Sequence, residues 1–209
     1  MRAADIATVV RVILAVVIAY MVLAKFNAVA VVALIAIVIF LDAFDGFLAM
    51  SEESKGRFSF SSYARSMLGN KRLAAEARRI KERISRTAKH GARMDVAGDR
   101  AVEYIFWITF TYLALVPLLV AMLVVIRHSF VDAVMGSKGT SSRMKTRFAR
   151  AVYSSNIGRG GINIVKFLAF SYLSLVYIIG YPIVIGYMLT ALLVIYIMAR
   201  GAAELYESM

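Results

Sequence analysis

The sequence predicts an all-α polytopic membrane protein, six transmembrane helices with a basic amphipathic cytoplasmic insert, and three observations carry that prediction. Of 209 residues, 61% are hydrophobic and 18% charged, with 2 Pro and no Cys. Residues 167–199 run without one charged side chain, well beyond the roughly 20 residues that cross a hydrocarbon core. The cations are segregated, because residues 51–93 hold 12 and residues 127–160 hold 7 of the 25 Lys and Arg. Such a composition excludes a disordered chain, a collagen-like repeat and a disulfide scaffold. Without Cys there is also no zinc–thiolate site, iron–sulfur cluster or thiol nucleophile.

The apolar runs at residues 6–24 and 28–41 supply one span each. The run at 101–126, extended by 94–100 and 127–134, is too long for one helix and carries Leu115-Val116-Pro117 in its middle. It reads as a hairpin of two spans. The last run, from residue 162 to about 204, is broken by Gly180-Tyr181-Pro182, which favours a turn over a continued helix. Charge placement supports the count of six. Residues 51–93 set 12 cations against 4 Glu, and residues 127–160 set 7 against Asp132 alone. A hairpin between the two segments puts both on the cytoplasmic face, as the positive-inside rule requires. Both termini are then expected on that face of the cell membrane. No cleavable signal is expected, since Arg11 interrupts the first run.

The chain is read as a single membrane domain over residues 1–209 with an insert at 51–92. Within it, residues 70–90 place Leu73, Ala77, Ile80, Ile84 and Ala88 at helical spacing among Lys71, Arg72, Arg78, Arg79, Lys81, Arg83, Arg86 and Lys89. Such a helix is expected to lie in an anionic lipid surface, or to serve only as a solvated topology signal. A nucleic-acid partner is not expected, because no aromatic side chains interleave with the cations to stack bases.

The acids are few and grouped. Asp42 and Asp45 lie at the cytoplasmic end of the second span, Asp95 and Asp99 at the start of the third. Spacings of three and four put each pair on one helical face. Two antiparallel helices then aim four carboxylates at one point near the headgroups, where they need cations. Oxygen donors suit Mg²⁺ or Mn²⁺ better than zinc. Gly46 and Gly91 flank the pairs and admit a ligand close to backbone. Two metal ions there would clamp a diphosphate. The competing assignment leaves the acids paired only with Arg11, Arg93, Arg100 or Arg127.

These residues resemble the signature D-x2-D-G-x2-A-R-x8-G-x3-D-x3-D of the CDP-alcohol phosphotransferase family, matched by Asp42, Asp45, Gly46, Ala49, Gly91, Asp95 and Asp99. Thr8 and Arg11 near the start, and Arg127 with Phe130-Val131-Asp132, resemble the phosphatidylglycerolphosphate synthases of that family. Two departures stand out. Met50 occupies the place of the signature Arg, and the segment before Gly91 carries a 32-residue excess. Arg57 and Arg65 are candidates to replace the missing Arg.

The resemblance implies that Asp42, Asp45 and Asp95 hold two Mg²⁺ or Mn²⁺ ions, with Asp99 both a ligand and the general base. It implies a CDP site lined by Thr8, Gly46, Ala49 and Gly91, with Asp42 and Asp45 reaching the phosphates through metal. An alcohol hydroxyl then attacks the lipid-side phosphorus of a CDP-lipid and CMP leaves. A homodimer is implied as well.

For an acceptor phosphate the candidate cations are Arg127, Arg150, Arg159 and Lys166. Lys166 lies inside the fifth span, where an ammonium needs a partner or must snorkel to the interface. The segment Ser154 to Arg159 resembles that of relatives using glycerol phosphate, which makes glycerol phosphate the expected acceptor and inositol phosphate the runner-up. Diacyl and isoprenoid ether lipids are equally compatible. Glu103 extends the Asp95 and Asp99 face and could orient Arg11 or Lys166 or contribute a further polar contact. Two other classes compete: a divalent cation transporter using the four acids as a path, and a tethering protein. A transporter would place its ionisable groups near mid-membrane, often in two related halves, and neither feature is visible.

Overall fold

The computed structural model describes residues 3–54, 56–67, 70–87, 91–138 and 156–208, and every regular element among them is an α-helix. In chain order these are α1 (Ala3–Leu23), α2 (Ala28–Glu53), α3 (Phe60–Met67), α4 (Lys71–Thr87), α5 (Gly91–Tyr112), α6 (Leu118–Lys138), α7 (Asn156–Ile179) and α8 (Ile183–Ser208).

The helix ends follow local chemistry. Lys25 takes a left-handed conformation (φ 49°), and the amides of Lys25 and Phe26 donate back to the carbonyls of Val22 and Met21 at 2.9 and 2.8 Å, closing α1. The Asn27 side chain then accepts from the amides of Val29 and Ala30 at 3.0 and 3.1 Å and caps α2. Ala114 (φ 55°) ends α5 in the same way as Lys25 ends α1, and Pro117 opens α6 two residues after Leu115. The expected break at Leu115-Val116-Pro117 is therefore present. Between α7 and α8 the chain turns at Gly180 (φ 78°), where the absence of Cβ permits the conformation.

Among the described residues, four helical stretches are long and apolar enough to cross a bilayer: Asp5–Leu23, Ala28–Glu53, Gly160–Ile179 and Ile183–Tyr206. This marks a membrane protein. Their outer faces are apolar too, as at Ile13 and Val16 on α1 and Val184 and Met188 on α8, which are exposed. A helix apolar all round belongs in lipid or a deep core. The 22-residue α5 and 21-residue α6 are not among the four. Residues 91–103 of α5 carry Arg93, Asp95, Asp99, Arg100 and Glu103.

Two compact units are present, Met1–Val17 with Ala36–Glu103, and Ile18–Ile35 with Tyr104–Met209. In the first, α2 continues well past residue 41, the end expected for its apolar run, so that Asp42, Asp45, Gly46 and Ala49 all lie within a helix. The insert folds as two helices rather than one. Ser59 accepts from the Ser62 amide at the start of α3, and Asn70 from the Leu73 amide at the start of α4. α3 and α4 pack together over a core of Met50, Phe58, Tyr63 and Ala77, joined by Phe47, Ile80 and Ile84.

In the second unit α8 packs against both α6 and α7. Gly186 on α8 lies against Leu173 on α7, where a Cβ would come within 3.1 Å of the leucine Cδ2. Phe106, Trp107 and Phe110 on α5 stack on or meet edgewise Phe170 on α7, with ring centroids 4.9 to 6.0 Å apart. This aromatic core is apolar and nearly fully buried.

Candidate functional site

Three of the four signature acids converge. Oxygens of Asp42 on α2 and of Asp95 and Asp99 on α5 all lie within 4.8 Å of one another. Asp42 and Asp99 are half-buried and Asp95 is exposed. Asp45, three positions after Asp42, shares its helical face by register, while its side chain lies outside the described set. Gly46 and Ala49 follow in α2, and Gly91 is the first residue of α5.

A guanidinium sits among these acids. Arg11 on α1 is buried at 1% exposure and donates through Nη1 to Asp42 Oδ1 at 2.5 Å and through Nη2 to Asp99 Oδ1. Three carboxylates against one guanidinium leave a formal charge of −2. Oxygen donors gathered within 4.8 Å and a net charge matching one divalent ion suit a hard cation.

The close approach of α1 and α5 depends on Gly98. Its missing Cβ would overlap the Cγ2 methyl of Thr8, itself buried at 4%, and would lie 4.0 Å from Arg11 Nη2. Thr8 thus meets the backbone of α5 one residue before Asp99. Sequence reasoning assigned Thr8 to the site and passed over Gly98. The available signal was a glycine directly preceding the second acid of the pair, in a helix, where Gly costs about 1 kcal/mol relative to Ala unless packing requires it.

Glu103 is buried at 2% and accepts from Arg100 Nη1 at 3.3 Å, one helical turn earlier. The sequence had left it between orienting Arg11 or Lys166 and making a further polar contact. The i to i+3 spacing places Arg100 beside it without any tertiary contact.

The acceptor candidates fare differently from one another. Arg127 on α6 donates to Glu204 Oε2 on α8 at 3.0 Å and lies 2.8 Å from His128 Nδ1. The bare backbone of Gly201 on α8 accommodates its side chain. Arg200 approaches the other Glu204 oxygen at 3.9 Å, and the Tyr104 ring lies 6.0 Å from that of His128. This buried cluster was not anticipated. Its signal was Glu204, an acid four positions after Arg200 at the end of a long apolar run. Lys166 is half-buried on α7. Arg159 belongs to α7 with its side chain outside the described set, and Arg150 lies outside the described residues.

No family model matches the chain, and neither any curated protein nor any solved structure does. Fold and site together define an all-helical membrane protein with three carboxylates gathered around a buried arginine.

Proposed function

We propose that this chain is a divalent-metal-dependent transferase of the CDP-alcohol phosphotransferase type. It moves a lipid phosphoryl group, diacyl or isoprenoid ether, from a CDP-lipid to the hydroxyl of glycerol phosphate and releases CMP. The observation that carries this reading is the convergence of Asp42, Asp95 and Asp99 within 4.8 Å, from the two helices that bear the two halves of the signature.

In this reading α5 and α6 are the third and fourth of six spans. Both termini, the basic insert and the site face the cytoplasm, and the protein works as a homodimer in the cell membrane. Asp42, Asp45, Asp95 and Asp99 hold two Mg²⁺ or Mn²⁺ ions. Bound there, such ions would supply charge neutralisation for a diphosphate and for the attacking and leaving oxygens. Thr8, Gly46, Ala49 and Gly91 line the CDP group. Asp99 accepts the proton of the acceptor hydroxyl as that oxygen bonds to the lipid-side phosphorus, while the bond from this phosphorus to the oxygen bridging to CMP breaks. Arg150, Arg159 and Lys166 hold the acceptor phosphate, with Arg127 positioned by Glu204. Inositol phosphate is the alternative acceptor.

The test is to incubate purified protein with CDP-diacylglycerol, Mg²⁺ or Mn²⁺, and labelled glycerol phosphate or inositol phosphate. CMP and a labelled lipid should form, stop with EDTA and resume on restoring metal. No metal-dependent product with either alcohol would sink the reading. Metal-dependent cation flux into proteoliposomes without lipid product would favour the transporter instead.

A further inference from the structure

The insert helix α4 uses its apolar face on the protein itself. Ala77, Ile80 and Ile84 pack against Met50, Phe58, Tyr63 and Phe47, so the stripe that the sequence offered to lipid is turned onto the insert's own core. Flanking that face, about 100° further round the helix, run Arg72, Glu76, Arg79 and Arg83, all exposed and spaced so that one line along the helix holds three guanidiniums and one carboxylate. Arg57 before α3 and Arg65 within it are exposed as well.

The position of this stripe follows from what its core is built on. Phe47 and Met50 belong to α2, the helix that contains a candidate span, and Met50 lies three residues from its end at Glu53. A ladder of rings extends the attachment: Phe40, Phe44 and Phe47 along α2 continue into Phe60 and Tyr63 of α3, with centroids 5.3 to 6.2 Å apart. Packing therefore holds α4 close to where α2 leaves the hydrocarbon.

We infer that the exposed basic stripe of α4 docks on anionic phospholipid headgroups of the bilayer that α2 crosses, by charge and without burying an apolar face there. Interfacial helices ordinarily combine buried apolar area with electrostatic attraction, and only the second is left to α4. Anionic headgroups are the fitting partner because the span keeps them at high local concentration, whereas a soluble polyanion has to be recruited from dilute solution. The inference is independent of the transferase reading.

A chain without Cys allows Ala75→Cys, at an exposed position of α4, to carry one dye. The full chain is placed in nanodiscs of phosphatidylcholine, or of phosphatidylcholine mixed with phosphatidylglycerol, and energy transfer to a headgroup-labelled lipid is read. Transfer should rise in the anionic discs. It should fall back at about 1 M salt, where the Debye length is about 3 Å. Reversing Arg72→Glu, Arg79→Glu and Arg83→Glu should cut the docked-to-undocked ratio roughly tenfold or more. Bromine on the acyl chains should leave the dye unquenched. Equal transfer in both discs, transfer that survives high salt, or quenching by the brominated chains would overturn the inference. So would displacement of the dye from anionic discs by an equal charge of soluble RNA. The salt arm uses the unreversed stripe and stands even if the triple variant fails to fold.

Discussion

Arg11 on α1 pairs with Asp99 on α5, 88 positions away, and the same guanidinium holds Asp42 on α2, 31 positions away. One buried cation thus ties three helices at the point where the acids gather. Without it, carboxylates within 4.8 Å repel across a medium less polar than water. Arg11 and a divalent ion are two ways of neutralising the same oxygens.

Replacing Arg11 with Ala should therefore destabilise the metal-free protein by about 2–4 kcal/mol, somewhat below a fully buried pair because Asp42 and Asp99 are about a third exposed. Divalent ions should recover part of the loss. The measurement is thermal unfolding in detergent with EDTA and with Mg²⁺, where the variant is expected to gain more from Mg²⁺ than the unmodified chain does. An equal gain would show that Arg11 and the metal do not share ligands.

Gly98→Ala should cost about 1–3 kcal/mol through overpacking, because the new methyl meets Thr8 Cγ2. Thr8→Ser removes that methyl and keeps the hydroxyl. The double variant should recover the stability that Gly98→Ala loses and, under the transferase reading, its CMP release, with a coupling energy read from the four-protein cycle. Simple additivity would refute the contact.

Under the transferase reading, Asp99→Asn should lower turnover by about 10²- to 10⁴-fold, the range for a lost general base. CDP-lipid binding should survive in part, because Asp42 and Asp95 remain. CMP release and equilibrium binding of CDP-diacylglycerol separate the two effects, and an active variant would remove Asp99 from the role of base.

The Arg127 and Glu204 side chains are 9% and 6% exposed. Glu204→Met should thus destabilise by about 3–5 kcal/mol by leaving a buried guanidinium uncompensated. Arg127→Met with Glu204→Met should cost less than Glu204→Met alone. Unfolding midpoints of the three variants decide this. Should Arg127 also grip the acceptor phosphate, Arg127→Lys raises the KM for glycerol phosphate while kcat holds.

Much of the helical framework was legible in the sequence because its determinants are local. The breaks at Leu115 to Pro117 and Gly180 to Pro182 fell where expected, since Pro117, Gly180 and the cap at Asn27 act within a few residues of themselves. The spacing of Asp95 and Asp99 placed both on one face for the same reason. Against this, α3 was missed: eight residues, Phe60–Met67, are too short for a periodic signal to stand out. The apolar run ends at Leu41 while α2 continues to Glu53, because hydropathy marks the stretch suited to lipid and not the end of the helix.

By itself, then, the sequence determined an all-helical chain with spans apolar enough for lipid, the places where it turns, and two groups of acids at helical spacing. Only the tertiary structure decided that Arg11 stands between Asp42 and Asp99, that Gly98 receives Thr8, that Arg127 is held by Glu204, and that α4 turns its apolar stripe inward. Periodicity states that a face will be covered and is silent on what covers it. Ion pairs across 31, 77 and 88 positions arise from how helices pack, and no spacing along the chain encodes them.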